Sequence, residues 1–188
     1  MSNRGGWILW ASIGLIVLLV IGIFLYFSLY HKDYSSKYSD KLSSGQIVNP
    51  VSGLSMEQAV QQFNESFVYY LLYSINAYNL HNPPLSSDTP KIEIYVDSDV
   101  YNAEISNGEI YVAKGEISTE DIIIKTTKEE AVNMLQDKKY ISQSFSSGNS
   151  QIQLVASKVT LFGKGYLSLY NQLTGKGITG NVIRIYTS

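Results

Sequence analysis

The stretch KIEIYVDSDVYNAEISNGEIYVAKGEISTEDIIIKT, residues 91–126, decides the fold. It contains segments in which apolar side chains recur at every second position, which is the period of a β-strand with one covered face. Asn107-Gly108 lies between two of these segments and is a strong signal for a tight hairpin turn. The last segment, DIIIKT, is apolar at successive positions, which predicts a strand buried on both faces. The residues predicted to point inward are Ile92, Ile94, Val96, Tyr101, Ala103, Ile105, Ile110 and Val112.

A long helix is predicted before the strands. Ser55 to Gln58 has the form of a capping box, in which a hydroxyl accepts from a backbone N–H and the glutamine side chain reaches back. Asn82-Pro83-Pro84 ends this helix, because proline lacks the amide donor and the residue before proline avoids helical geometry. The apolar stripe of the helix steps by four and three along Met56, Val60, Phe63, Phe67, Leu71, Ser74 and Tyr78.

Shorter helices and one more strand follow residue 126. Thr127 opens a second capping box, and a further short helix ends at Gly148. Residues 150–156, SQIQLVA, alternate again, with Ile152 and Leu154 on one face, and residues 159–173 form a closing helix that Gly163 and Gly165 weaken. Runs of strands followed by helices predict an α+β fold with a mostly antiparallel sheet that helices cover on one face.

Residues 7–30, WILWASIGLIVLLVIGIFLYFSLY, contain no charged side chain. A helix of this length spans about 36 Å, enough for a hydrocarbon core of about 30 Å. Trp and Tyr stand at its two ends, where their rings favour the headgroup level of a bilayer. The run is longer than the apolar region of a cleaved signal peptide, and no small-residue cleavage site follows. We therefore expect an uncleaved single-pass transmembrane helix.

The charges that flank this helix favour a cytoplasmic domain. Arg4 and the amino terminus precede the helix, while Lys32, Lys37 and Lys41 follow it. The positive-inside rule places the more cationic flank in the cytoplasm. We therefore expect a single-pass membrane protein whose C-terminal domain faces the cytoplasm.

The chain divides into five predicted parts around the membrane helix. A tail, residues 1–6, precedes it, and a flexible stalk rich in Ser and Lys, residues 31–53, follows it. Such a stalk has a reach on the order of 25 Å. The α+β domain covers residues 54–177, and the C-terminal tail, residues 178–188, contains a possible short strand, Val182–Tyr186.

The composition excludes several kinds of protein. The 188 residues include 14 Lys and Arg against 16 Asp and Glu, and this net charge of −2 does not suit an electrostatic nucleic-acid binder. The lack of Cys removes disulfides, thiolate zinc sites and cysteine nucleophiles together, and two His leave little imidazole for catalysis. We expect no catalytic residue, no metal site and no cofactor.

Several short patterns match functional motifs without the context that those motifs need. Residues 175–180 form a literal GxGxxG, but they follow a predicted helix, whereas a dinucleotide site follows a strand. Asp97-Ser98-Asp99 lacks the further acidic ligands of a calcium loop and suits a hairpin turn. A Ser-His-Asp arrangement through His81 cannot be specified from sequence. Glu120-Asp121 and Glu129-Glu130 are predicted at helix N-termini or in solvent.

Thirteen of the 15 tyrosines lie outside the membrane segment, and tyrosine is the most informative residue type in that part of the chain. Its apolar body and polar tip suit a core rim, a protein interface or a pocket wall, and the sequence leaves these three readings open. The first long helix alone carries six aromatic residues: Phe63, Phe67, Tyr69, Tyr70, Tyr73 and Tyr78.

Two further stretches, AEISNGEIYVAKGEISTEDIIIKTTKEEAVNMLQ (103–136) and FSSGNSQIQLVASKVTLFGKGYLSLYNQL (145–173), carry a family resemblance. They show strand, turn, strand and glycine loop, then an acidic-apolar strand that leads into a helix, and finally an apolar closing helix. This pattern resembles the sterol-carrier-protein-type lipid-binding domain. The matching positions are Asn107-Gly108, Gly115, Asp121 to Ile124, Gly148, and Leu161 to Leu173.

The resemblance implies a five-stranded sheet with helices on one side that enclose an apolar tunnel, and lipid or fatty-acyl binding without catalysis. We therefore expect a membrane-tethered domain that contacts the bilayer through residues 7–30 and binds a lipid or other apolar ligand. The alternative is an assembly module that presents a Tyr-rich surface to protein partners, and an enzyme ranks third. Strand alternation and the resemblance together give the candidate pocket residues: Tyr101, Ile105, Phe145, Leu161, Tyr166 and Tyr170.

Overall fold

The structure is a computed structural model that describes residues 13–25, 37, 40–41 and 44–175. The chain divides into two compact units, Met1–Asp33 and Tyr34–Ser188.

In the first unit, residues 13–25 are helical and their side chains are exposed. Within the described part of the chain, no helix combines the length and the apolar character needed to cross a membrane. The predicted transmembrane helix, residues 7–30, is therefore not confirmed, and its two ends, 7–12 and 26–30, lie outside the described residues.

The second unit is an α+β domain. Its first helices are followed by the strands, with further helices before and after the last strand. The bounds are α1 Met56–Gln61, α2 Glu65–Ser74, a 3₁₀ helix Ala77–Asn79, β1 Lys91–Val96, β2 Asp99–Ser106, β3 Glu109–Lys114, β4 Ile122–Thr126, α3 Lys128–Gln136, α4 Tyr140–Ser147, β5 Gln151–Leu154, α5 Lys158–Gly163 and α6 Tyr166–Thr174.

The five strands form one sheet in the order β3-β2-β1-β4-β5. Three pairings are antiparallel, and β1 pairs with β4 in parallel. The predicted sheet was mostly antiparallel, and the structure agrees, but the parallel pair makes the sheet mixed. β3 lies at one edge of the sheet, and the loop 115–121 carries the chain from that edge past β2 and β1 to β4. β4 is thereby placed parallel to β1.

One face of the sheet is covered, as the alternation predicts. The inward side chains of β1 and β2 have at most 1% exposure, and the helices supply the rest of one continuous core. The opposite face is exposed towards its edges, with Tyr111 61% exposed and Lys125 also exposed, whereas Glu93 at its centre is only 5% exposed and accepts from the Ile117 amide of the loop after β3. The prediction that β4 is buried on both faces is therefore wrong, because β4 shares this open face through Lys125.

The predicted long first helix is divided into three pieces. Asn64 caps α2, with its side-chain oxygen 2.9 Å from the Ser66 amide that donates to it. Asn76 then adopts a left-handed backbone with φ of 60° and ends the regular helix. The side-chain oxygen of an Asn can accept a backbone amide in place of a helical carbonyl and so interrupt a helix. The apolar period continues on both sides of such a break, so the period alone does not reveal it.

The predicted closing helix is divided as well. The chain bends between α5 and α6 at Lys164 and Gly165, and Gly165 takes a φ of 85°. Glycine adopts this left-handed conformation without the steric penalty of a Cβ atom. The two glycines noted in the sequence thus mark a turn between two helices rather than a weak helix.

The predicted stalk does not extend to residue 53. Ile47 and Val51 are buried and belong to the domain core, and the Asn49 side-chain amide donates to the Leu135 carbonyl across 2.8 Å. The predicted C-terminal tail, residues 178–188, lies outside the described residues.

Gly148 ends α4 with a φ of 84°, and open space surrounds the position of an added Cβ. We expect Gly148→Ala to lower the free energy of unfolding by about 1 kcal/mol, since only the backbone conformation opposes the new methyl group. Gly163→Ala is the matched control, because an added Cβ there makes an ordinary 3.5 Å contact with Pro83. Urea unfolding of both variants checks this, and equal losses would contradict it.

Candidate functional site

The apolar interface between the covered sheet face and the helices is the candidate site. All six predicted pocket residues are at most 8% exposed, and all of them except Tyr170 belong to the hydrophobic core. Tyr101 and Ile105 are on the inward face of β2, where they pair with Ile94 and Ile110. The other four belong to the helix layer: Phe145 on α4, Leu161 on α5, and Tyr166 and Tyr170 on α6. Their role in binding stays a prediction.

The inward face of the sheet is apolar from one edge to the other. One row crosses it through Val112, Ala103, Ile92, Ile122 and Leu154. Against this face, the Phe63 ring meets the Tyr101 ring edge-on, with the ring centroids 6.2 Å apart. The lining therefore supplies hydrophobic contact area and one oriented aromatic pair.

A buried carboxylate, Asp121, marks one end of this interface. It directly precedes β4 and is only 3% exposed. Its backbone continues the sheet, because the Asp121 amide donates to the Lys91 carbonyl and the Val155 and Ala156 amides donate to the Asp121 carbonyl. Its side-chain Oδ2 also accepts from the Lys91 amide across 2.8 Å. Asp121 thus joins the starts of β1 and β4 to the end of β5.

Lys164, at the bend between α5 and α6, is the partner of this carboxylate. Its Nζ lies 3.0 Å from both Asp121 carboxylate oxygens, and the residue is 1% exposed. The same ammonium donates to the Thr89 carbonyl and forms an ion pair with Asp88, whose side chain is 52% exposed. A buried ammonium needs such compensation, since desolvation would otherwise disfavour its charged form. The bend between α5 and α6 is therefore attached to the sheet by a buried ion pair.

Tyr166 completes the cluster. Its hydroxyl lies 3.1 Å from both the Lys91 carbonyl and Asp121 Oδ2, and the residue is fully buried. Burial raises the pKa of the Tyr166 phenol well above its usual value, and the nearby Asp121 carboxylate adds to this effect. The phenol is therefore a neutral hydrogen-bond donor at physiological pH. We call Asp121, Lys164, Tyr166 and Asp88 the Lys164 cluster.

A chain of hydroxyl groups marks the opposite end of the interface. Thr126 Oγ1 and Ser150 Oγ are 2.7 Å apart, and Ser150 Oγ is 2.8 Å from Ser144 Oγ. Ser144 donates in turn to Glu130 on α3 across 2.7 Å, and Tyr140 donates to the same carboxylate. Since Asp121 and Thr126 stand at the two ends of β4, an apolar floor of about 17 Å separates the two polar groups.

The sequence contained a signal for the buried carboxylate, but the sequence analysis missed it. Asp121 was predicted at a helix terminus or in solvent, and this is wrong: it is buried because Lys164 neutralises it. The signal was the single cation in LFGKGY, since a lone charge within an apolar helical segment needs an oppositely charged partner. Glu129 and Glu130 do lie in the first turn of α3, as predicted.

The other acidic motif, Asp97-Ser98-Asp99, forms ion pairs with lysines of the same chain through Asp99. Asp97-Ser98 forms the turn between β1 and β2, and Asp99 bridges Lys114 and Lys128 at 2.8 Å and 2.9 Å. Hydrogen bonds from these two lysines lower the pKa of Asp99 to about 2. Within the described ranges, no group of three or more His, Cys, Asp or Glu side chains is placed to hold a metal ion.

The tyrosines of the first helical segment mostly face the core. Tyr70, Tyr73 and Tyr78 are each at most 7% exposed, and their rings form a tilted stack with centroids 5.6 Å and 5.7 Å apart. The predicted Tyr-rich surface is therefore absent from α2 and the 3₁₀ helix. Among the described residues, Tyr111 on the open sheet face is the tyrosine with a mostly exposed side chain.

Lys164→Met should strongly destabilise the domain. It leaves the Asp121 carboxylate buried without a cation, and breaking a buried pair in this way costs about 3–5 kcal/mol. Adding Asp121→Asn should recover part of this loss, because the stranded charge is then removed. Lys114→Met, which removes an exposed partner of Asp99, should have little effect. Equal losses in Lys164→Met and Lys114→Met, measured by urea unfolding, would show that the cluster does not stabilise the fold.

The Asp99 carboxyl should titrate with a midpoint of about 2 in carbon-detected NMR, against 3.8 for an ordinary Asp. A lowered pKa means that the stabilisation is complete above 3.8 and is lost as the pH falls through about 2. Lys114→Met should move the midpoint towards 3.8, because it removes the stronger hydrogen bond. An unchanged midpoint in that variant would contradict this assignment.

Comparison with known proteins gives no family. No family model matches the chain, and no curated protein matches it. Several solved structures are similar in part. The structure titled "UbiJ-SCP2 Ubiquinone synthesis protein" is 13% identical, with a TM-score of 0.35 over 57% of this chain and 89% of that one.

Two further similar structures are titled as sterol carrier proteins. Sterol Carrier Protein 2 Like 2 from Aedes aegypti is 14% identical, with a TM-score of 0.31 over 52% of this chain and 92% of that one. Sterol Carrier Protein 2 from Yarrowia lipolytica is 11% identical, with a TM-score of 0.30 over 64% of this chain and 88% of that one. With TM-scores below 0.5, these similarities assign the chain to no family.

Proposed function

We propose that this domain binds a lipid or another apolar ligand between its helix layer and the covered face of its sheet, without catalysing a reaction. The observation that carries the proposal is the arrangement of the candidate site: an apolar floor with a polar group at each end. Ligand sites commonly combine an apolar lining with a few polar groups that set orientation. A ligand with an apolar body and a polar head matches this arrangement.

The bend at Lys164 supports a route of entry. The α5–α6 segment is joined to the sheet there by the ion pair with Asp121 and by the Tyr166 hydroxyl. An apolar contact has no required geometry, whereas these polar contacts fix one end of the segment in place. In this proposal a ligand would enter where α5 and α6 separate from the sheet beyond this fixed point.

We propose further that residues 7–30 tether the domain to a bilayer and that the domain faces the cytoplasm. The support is the absence of charge over these 24 residues and the exposed apolar side chains of the helix at 13–25. The helix at 13–25 presents Leu15, Leu18 and Phe24 with exposures of 67%, 69% and 72%. Side chains of this kind favour hydrocarbon over water.

A photoreactive fatty acid tests ligand binding in the full chain reconstituted in lipid nanodiscs. After irradiation, mass spectrometry should locate the label on residues that line the candidate site, such as Tyr101 and Tyr170, and unlabelled fatty acid should compete it away. Label confined to residues 7–30, or label that does not compete, would contradict binding in the domain.

A matched pair of variants strengthens this test. Ile105→Phe adds volume to the inward face of β2, so it should reduce the competed label severalfold. Tyr111→Phe changes a side chain on the open face and should leave the label unchanged. Thermal melting of both variants separates lost binding from lost folding. Equal label in the two folded variants would place the ligand elsewhere.

A further inference from the structure

Two buried side-chain oxygens have no hydrogen-bond partner within the described part of the chain: Ser74 Oγ and Asn79 Oδ1. Ser74 is the last residue of α2, Asn79 is the last residue of the 3₁₀ helix, and both elements pack against β3. A buried polar group without a partner lowers stability, and folded proteins satisfy nearly all such groups. These two oxygens therefore indicate a polar partner that the described residues do not supply.

Ser74 faces the candidate site. It stands seven residues after Phe67, which is about two helical turns, so the two side chains share one face of α2. Phe67 is 3% exposed, and its ring centroid lies 5.1 Å from that of Phe63, whose ring meets Tyr101 on the sheet. The Ser74 hydroxyl is thus on the stripe of α2 that packs against the apolar interface.

The polar groups at the two ends of the interface already have partners. In the Lys164 cluster, the ammonium meets two carboxylates and a backbone carbonyl. At the opposite end, each hydroxyl in the chain from Thr126 to Ser144 bonds to its neighbour or to Glu130. Among the described residues of the interface, Ser74 and Asn79 are therefore the ones with unused hydrogen-bonding capacity.

The group that these two oxygens would bind is uncharged. Lys164 is the one buried cation among the described residues, and two carboxylates already share its charge. An anionic head in the interface would lie without a counter-charge, which is strongly unfavourable away from water. By the same argument a fatty acid would bind as the protonated acid, which also carries an O–H group.

We propose that Ser74 and Asn79 bind the hydroxyl head of a long-chain alcohol whose apolar body lies in the candidate site. The Asn side-chain oxygen only accepts, whereas the Ser hydroxyl both donates and accepts. One hydroxyl group satisfies both, because it donates to Asn79 Oδ1 and accepts from Ser74 Oγ. The inference rests on the proposed function and names the class of ligand, a neutral lipid with a donor in its head.

Three competitors with the same alkyl chain test the head. A hexadecanol analogue with a diazirine in its alkyl chain is irradiated with the full-length protein in lipid nanodiscs, and mass spectrometry measures the label in the domain. Hexadecanol should remove this label at a severalfold lower mole fraction than hexadecyl methyl ether, which cannot donate, or hexadecyl sulfate, which is anionic. If either compound competes as well as hexadecanol, the proposed head site is overturned, while ligand binding by the domain stands.

Variants test the two residues. Ser74→Ala and Asn79→Leu should each remove most of the advantage of hexadecanol over the ether, while both compounds still compete. Ser168→Ala is the matched control, because Ser168 is an exposed serine on α6, and it should keep the advantage. Thermal melting shows that each variant is folded. An unchanged advantage in folded Ser74→Ala would overturn the proposal.

A buried water is the other occupant that could satisfy these oxygens, and stability separates it from a lipid head. With a water alone, Ser74→Ala would melt at a lower temperature without added alcohol and would keep the advantage of hexadecanol, which overturns the proposal. In the proposal, hexadecanol raises the melting temperature of the unchanged protein more than that of Ser74→Ala. Label in the unchanged protein that no competitor removes would overturn the proposed function together with this inference.

Discussion

The buried ion pair between Asp121 and Lys164 is the interaction on which the arrangement of this domain depends. Asp121 accepts from a strand amide, a tyrosine hydroxyl and the lysine ammonium, so one carboxylate connects the sheet to the last two helices. An isolated charge at this depth would be strongly unfavourable. The pair is therefore stable only when β1, β4 and the bend between α5 and α6 are all in place.

The same pair gives the candidate site its polarity. The covered sheet face is apolar along its length, and its two ends carry different chemistry: an ion pair with a neutral phenol at one end, and linked hydroxyls that lead to Glu130 at the other. The loop from Pro83 to Thr89 lies near the first end, because Pro83 lies next to Gly163 and the Thr89 carbonyl accepts from Lys164. The helix bend, the polar group and the exposed Leu85 side chain thus occur together.

Local patterns predicted the strands well and the helix breaks poorly. Alternation placed Ile92, Ile94 and Tyr101 inward, and the two-residue turn at Asn107-Gly108 is present with φ of 52° and 78°. These features depend on neighbours in the chain, which a sequence displays directly. The break at Asn64 was missed because a capping side chain competes with a helix whose apolar period continues on both sides.

The sequence by itself determined the α+β class and the covered sheet face, because both follow from local periodicity and apolar surface. Only the tertiary structure decided that β4 lies parallel beside β1, that Ile47 and Val51 join the core, and that Lys164 meets Asp121. The last contact joins residues 43 positions apart. Strand order and charge pairing at such separations depend on how the whole chain minimises buried charge and exposed apolar surface, and no local pattern records that balance.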